Sequence, residues 1–227
     1  MSLDDKTRKV TADDDTPRSM SDAGVRERRE AMLNRPHVLP LTVYTAKLRR
    51  DRASVEVPDF DPLDGGIDAR VLFLFEKPGP MTAASGKRTK RTGSGFISRN
   101  NDDATAEATI NFMQQAGISR ELTVIWNVIP WWNGTRKVRA EELRAGAEAV
   151  RDLIDLLPNL RAVVMVGWKA KRVRPRLESL FPHLELFNSD HPSPIVKARW
   201  PDRWNHIPSE WGKVRPLIDE NQPLRAS

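Results

Sequence analysis

Residues 71–80 read VLFLFEKPGP. Five consecutive apolar residues, followed at once by a carboxylate, an ammonium and a Pro-Gly-Pro turn, describe a strand buried on both faces that stops at a polar edge. Three other apolar runs share this form: 122–129 (LTVIWNVI), 162–166 (AVVMV) and, more weakly, 184–187 (LELF). Helical patterns lie between them, at 104–116 closed by Gly117, at 140–157 closed by Pro158, and at 168–181 interrupted by Pro175. In the second of these, Leu143, Ala147, Val150, Ile154 and Leu157 fall on one stripe. Strands alternating with helices predict the α/β class, as a three-layer α/β/α sandwich with a central, mainly parallel four-stranded sheet.

In such a sheet ligands bind beyond the carboxyl ends of the strands. There the sequence places Glu76, Lys77, Pro78 and Gly79 after the first run, and Asn127 near the end of the second. Gly167-Trp168-Lys169 follows the third, and Asp190-His191-Pro192-Ser193-Pro194 the fourth. A carboxylate, an ammonium, an amide and an imidazole are thereby expected on one rim. Asn127 stands out because strands disfavour Asn and a buried amide needs partners. Of Trp131 and Trp132, at least one is expected in the core.

The 227 residues carry 37 Lys+Arg against 31 Asp+Glu, a net charge of +6, and no cysteine. Disulfides, Cys-ligated metals and thiol nucleophiles are excluded, so the chemistry falls to carboxylates, His, Lys, Asn and hydroxyls. No apolar run approaches the roughly 20 residues a spanning helix needs, and mean hydropathy is -0.55. The start of the chain is acidic and lacks the apolar block of a secretory signal. These features give a cytoplasmic protein, nucleoid-associated if bacterial. The expected organisation is a disordered acidic tail over 1–20, a helical and irregular arm over 21–65, a catalytic domain over 66–220 and a tail over 221–227. Within the arm, 21–34 reads as a solvated helix capped by Ser21 or Asp22 and stopped by Pro36. The Trp-rich segment 200–211 is expected to pack on the sheet near His191.

Taken in order, Glu76-Lys77-Pro78-Gly79, Gly95-Phe96, Asn127-Val128-Ile129-Pro130 and His191-Pro192-Ser193-Pro194 resemble the motifs of the uracil-DNA glycosylase superfamily over about residues 71–196. The Glu-x-Pro-Gly form is similar to the branch that usually carries an iron–sulfur cluster, whose cysteines this chain lacks. The His-Pro-Ser-Pro quartet resembles the cluster-free branch as well. The resemblance implies a monomeric enzyme that flips deoxyuridine out of DNA, hydrolyses its N-glycosidic bond and so initiates base excision repair. Uracil-containing DNA would be its partner and uracil its product, with no metal, no organic cofactor and no obligate protein partner. Phe96 would stack on the flipped base, against the pocket of Pro78 and Gly79. Asn127 would read O4 and N3–H of uracil, and His191 would donate to O2 as charge develops there. Glu76 would position and deprotonate water or stabilise the sugar cation. Ser193 would grip a flanking phosphate, and Ile195 would enter the vacated stack.

Two positions depart from the best-known branch. Lys77 stands where that branch has a water-handling aspartate, and three readings remain open: Glu76 takes over the water, Lys77 contacts phosphate, or Lys77 attacks the sugar as a Schiff-base nucleophile with lyase chemistry. Gly79 stands where a tyrosine blocks the thymine methyl, which leaves thymine or modified bases open. Three basic clusters are expected to form a phosphate-binding groove. They are Lys87, Arg88, Lys90, Arg91 and Arg99; then Lys169, Lys171, Arg172, Arg174 and Arg176; then Lys197, Arg199 and Arg203. The competing readings are a catalytically silent nucleic-acid binder on the same fold and a small-molecule nucleoside or sugar-phosphate enzyme.

Overall fold

The computed structural model describes residues 11–83 and 93–218. Among these, the first half runs α1 (Ala23–Glu30), α2 (Leu39–Asp51), β1 (Asp59–Phe60), β2 (Val71–Phe75), β3 (Phe96–Ile97), α3 (Ala104–Gln115) and β4 (Thr123–Asn127). The second half runs α4 (Ala140–Ile154), β5 (Ala162–Val166), α5 (Arg174–Leu180), β6 (Glu185–Ser189), α6 (Pro194–Arg199), α7 (Pro201–Gly212) and α8 (Arg215–Ile218).

The four apolar runs form one sheet of order β4-β2-β5-β6, parallel throughout. Its register aligns Phe75 with Asn127 and Val166 with Ser189, so the polar residues that follow β2, β5 and β6 meet at one edge. Successive side chains point to opposite faces. Phe73 meets Trp211 of α7 edge-on at 5.0 Å, and Trp211 in turn meets Phe112 of α3, which places α3 and α7 on one side. Trp126 stacks on Phe60 at 3.7 Å and lies near Tyr44 of α2, whose hydroxyl donates to the Ala149 carbonyl of α4. That pairing puts α2 and α4 on the other side and completes the three layers. Pro175 does not break a helix. It sits in the first turn of α5, where its missing N–H costs nothing.

The N-terminal third departs from the sequence reading. Residues 11–20, expected to be a disordered tail, form two short 3-10 turns that bury Asp14 and Met20. Residues 39–65, expected as an arm, belong to the main core through Leu41, Tyr44, Leu48, Val57 and Phe60. The α1 helix is capped by Asp22, which accepts from the Val25 amide. It is not simply solvated, because Arg29 is fully buried. Arg29 pairs with Asp61 at 3.1 Å. Arg120 pairs with Asp61 at 2.6 Å, with Asp64 at 2.9 Å and with Asp15. Arg99 adds a contact to Asp64 at 3.3 Å. Buried charges persist only when paired in this way. Both Trp131 and Trp132 are buried. No helix among the described residues is long and apolar enough to cross a membrane.

Candidate active site

A cavity of about 660 Å³ opens at the carboxyl edge of the sheet. Its wall takes Phe75, Glu76, Pro78 and Gly79 from the end of β2, Asn127 from β4, Lys169 from the turn after β5, and His191, Ser193 and Ile195 from the loop after β6. The expected rim is thus assembled by the parallel register, since each strand ends at the same height.

Glu76 is held by Lys169, whose ammonium lies 2.5 Å from Oε1. Asn127 is 4% exposed, yet its amide makes no side-chain hydrogen bond among the described residues. A buried amide left free at a cavity wall is a recognition group in waiting. His191 packs edge-on against Phe75 at 5.6 Å and is backed by Gly167. An added Cβ at Gly167 would sit 3.2 Å from the His191 side chain, at a φ of 87° that already favours glycine. Burial, with the charges of Arg136 and Lys169 next in effect, pushes the imidazole down to about 4. Its Nδ1 is shut away without a partner among the described residues. The loop is fixed from behind: Arg203 grips the Asp190 carboxylate, the Asp190 amide donates to Glu210, and Trp211 donates to Ser189 Oγ at 2.8 Å. Segment 200–211 therefore packs on the sheet beside His191.

Three expected roles are corrected by the geometry. Phe96 does not face the cavity. It is 2% exposed and packed with Met20 and Val25, because residues 11–25 cover it. The aromatic on the cavity wall is Phe75. Lys77 has its side chain 3% exposed, and its ammonium donates to Asn133 Oδ1 at 2.9 Å, Glu142 Oε1 at 2.9 Å and the Lys137 carbonyl at 3.2 Å. Three donors with three acceptors leave no lone pair to attack a sugar and no N–H for a phosphate. Burial works against the Glu142 carboxylate, but the hydrogen bond from Lys77 holds it below the usual range. The space left by Gly79 is not empty either, since the Arg136 guanidinium lies 3.6 Å from where a Cβ would be.

The basic clusters are also more occupied than expected. Lys87, Arg88, Lys90 and Arg91 lie outside the described residues. Lys169, Arg174, Arg176 and Arg203 are paired with Glu76, Glu178, Glu148 and Asp190, and Arg99 is buried. Lys197 lies over the Trp204 ring at 5.6 Å, and Arg199 is exposed on α6. Ser193 caps α6 by accepting from the Val196 amide, and Ile195 is 64% exposed at the mouth. Arg136 escaped the sequence reading because it lies in no motif, and the pairing of Glu76 with Lys169 escaped it because the two are 93 residues apart. Among the described residues no group of three or more His, Asp or Glu is arranged to hold a metal.

The sequence profile of the uracil DNA glycosylase superfamily matches residues 62–207, more than half of the chain and every cavity residue named above. The protein belongs to the uracil DNA glycosylase superfamily. Members of this superfamily are DNA glycosylases, hydrolases acting on bases in DNA. Among solved structures, wild-type Pedobacter heparinus SMUG2 is similar to this glycosylase-superfamily chain at 10% identity and a TM-score of 0.45, with 68% of this chain and 77% of that one covered. No curated protein sequence matches.

Proposed function

We propose that the protein is a uracil-DNA glycosylase that hydrolyses the N-glycosidic bond of a flipped deoxyuridine and so initiates base excision repair. The observation that carries this reading is the convergence of Glu76, Asn127 and His191, from the ends of three different strands, on one cavity. A flipped base resting against Phe75 presents its Watson–Crick edge to Asn127, whose amide offers the donor and acceptor that uracil needs. His191 is neutral at physiological pH. With Nδ1 shut away, it donates from Nε2 to the base O2 as the C1′–N bond lengthens and its electron pair moves onto the base. Lys169 takes Glu76 Oε1 and leaves Oε2 to orient a water and accept its proton as the water oxygen bonds to C1′. The corrected role of Lys77 favours this assignment of the water to Glu76 over Schiff-base chemistry.

The test is a labelled oligonucleotide with a single uracil, offered single- and double-stranded and read with and without alkali. The wild type should release uracil and leave an alkali-labile site, and Glu76→Gln should lower the rate at least about 100-fold. Retention of uracil-containing DNA without release would instead make the protein a silent binder.

A further inference from the structure

Among the described residues four cations line the cavity: Lys77, Arg99, Arg136 and Lys169. Three are spent within the fold, on Glu142, Asp64 and Glu76 respectively. Arg136 is exposed and makes no hydrogen bond or ion pair among the described residues. Of the two carboxylates on the same wall, Glu76 is held by Lys169, and Asp103 caps α3 by accepting from the amides of Thr105 and Ala106. Among the described residues the guanidinium is therefore the one cation of the cavity wall that no carboxylate of the fold has claimed.

The segment carrying Arg136 is built rather than loose. The Lys77 ammonium bonds to residues on both sides of it, Asn133 and Lys137, and to Glu142. Asn133 Nδ2 also donates to Glu142, and Glu142 Oε2 accepts from the Arg139 amide. The amides of Thr135 and Lys137 are taken up by Asn133 Oδ1 and Thr135 Oγ1. Upstream, Trp132 bridges to Glu56 by backbone hydrogen bonds. The effect is to lay Arg136 beside Gly79, where any side chain would narrow the space the guanidinium uses.

We propose that Arg136 forms an anion subsite at the cavity mouth that binds a backbone phosphate of the flipped nucleotide, with Lys77 as the residue that positions it. The proposal rests on the cavity being a nucleotide site. A guanidinium suits this task because its planar fork matches two phosphate oxygens at once. It also gives the invariant Coulomb attraction of a group that stays charged.

The experiment compares wild type with Arg136→Ala and Arg136→Lys, using Arg144→Ala as an exposed control outside the cavity. The probe is DNA carrying one 2′-fluoro-deoxyuridine, which resists cleavage, and its Kd is followed across a salt series; single-turnover release is measured separately on ordinary uracil DNA. Arg136→Ala should weaken binding about tenfold and reduce the slope of log Kd against log salt by about one. Arg136→Lys should keep the slope and lose part of the affinity, and release at saturating enzyme should stay within about twofold. Lys77→Met should reproduce part of the binding loss and add little to Arg136→Ala. Unchanged Kd and slope in Arg136→Ala overturn the proposal. A loss confined to the saturating rate also overturns it, and would place Arg136 on the departing base. If the wild type binds but releases no uracil, the glycosylase reading fails while the Kd and slope still decide the role of Arg136.

Discussion

At the residue scale, His191 shows how a fold sets a protonation state. An unfolded histidine titrates near 6.5, whereas in the folded chain burial and then the charges of Arg136 and Lys169 bring it to about 4. Between these values the unfolded chain binds a proton that the native chain does not. Stability from this group is therefore complete above pH 6.5 and is lost as pH falls toward 4. The release rate should stay level from pH 8 through 6.5 and decline only on approach to 4, since the neutral ring is the donor. His191→Gln should remove that part of the acid dependence of thermal stability, measured by unfolding at several pH values. An unshifted activity midpoint near 6.5 would refute the assignment. The rim positions of Asn127, Glu76 and His191 were legible in the sequence because Asn127 interrupts an apolar run near its end and the other two come after one. The low titration of His191 was not, as it depends first on burial in the folded chain and then on charges from two other segments.

At the scale of elements, the loop after β2 and the segment before α4 are fastened together by Lys77. With three acceptors and 3% side-chain exposure, this lysine resembles a rivet more than a reagent. Lys77→Met leaves Glu142 without its counter-charge and should cost roughly 3 kcal/mol, read as a lowered denaturation midpoint. Borohydride should trap no covalent complex with uracil DNA through Lys77 or Lys169, because both amines on the described cavity wall are engaged within the fold. The four main strands and α3, α4 and α5 were readable from apolar runs and breakers. The α2 helix and the two-residue strands β1 and β3 were not. The former is mixed in polarity and begins at Leu39-Pro40, and the latter are too short to show a period. Only the fold reveals that Phe96, adjacent to the motif glycine Gly95, is claimed by the core beneath residues 11–25.

For the whole molecule, residues 11–22 ahead of α1 are a structural part of the domain. They cover Phe96, anchor Asn100 through Asp15 and the Thr16 carbonyl, and tie Arg18 to Asp102 and Glu107. Asn100 lies between Arg99 and Asn101, both on the cavity wall, so this segment supports the site from behind. Deleting residues 1–22 should lower the melting temperature by several degrees or more and should weaken release, even though none of the described residues 11–22 lines the cavity. An unchanged melting temperature would show the segment to be dispensable. Low apolarity and a run of aspartates hid this role, for their partners are arginines about 15 and 105 residues away.

The buried ionic cluster gives the position of any such cut a further meaning. Residues 61–120 contribute two guanidiniums, Arg99 and Arg120, and two carboxylates, Asp61 and Asp64. The N-terminal stretch adds one of each, Asp15 and Arg29. Both halves are electroneutral alone and together. A cut between residues 15 and 29 removes Asp15 and keeps Arg29, leaving the cluster with a net positive charge, whereas a cut beyond 29 removes the two as a set. On charge balance the shorter truncation is the more damaging one.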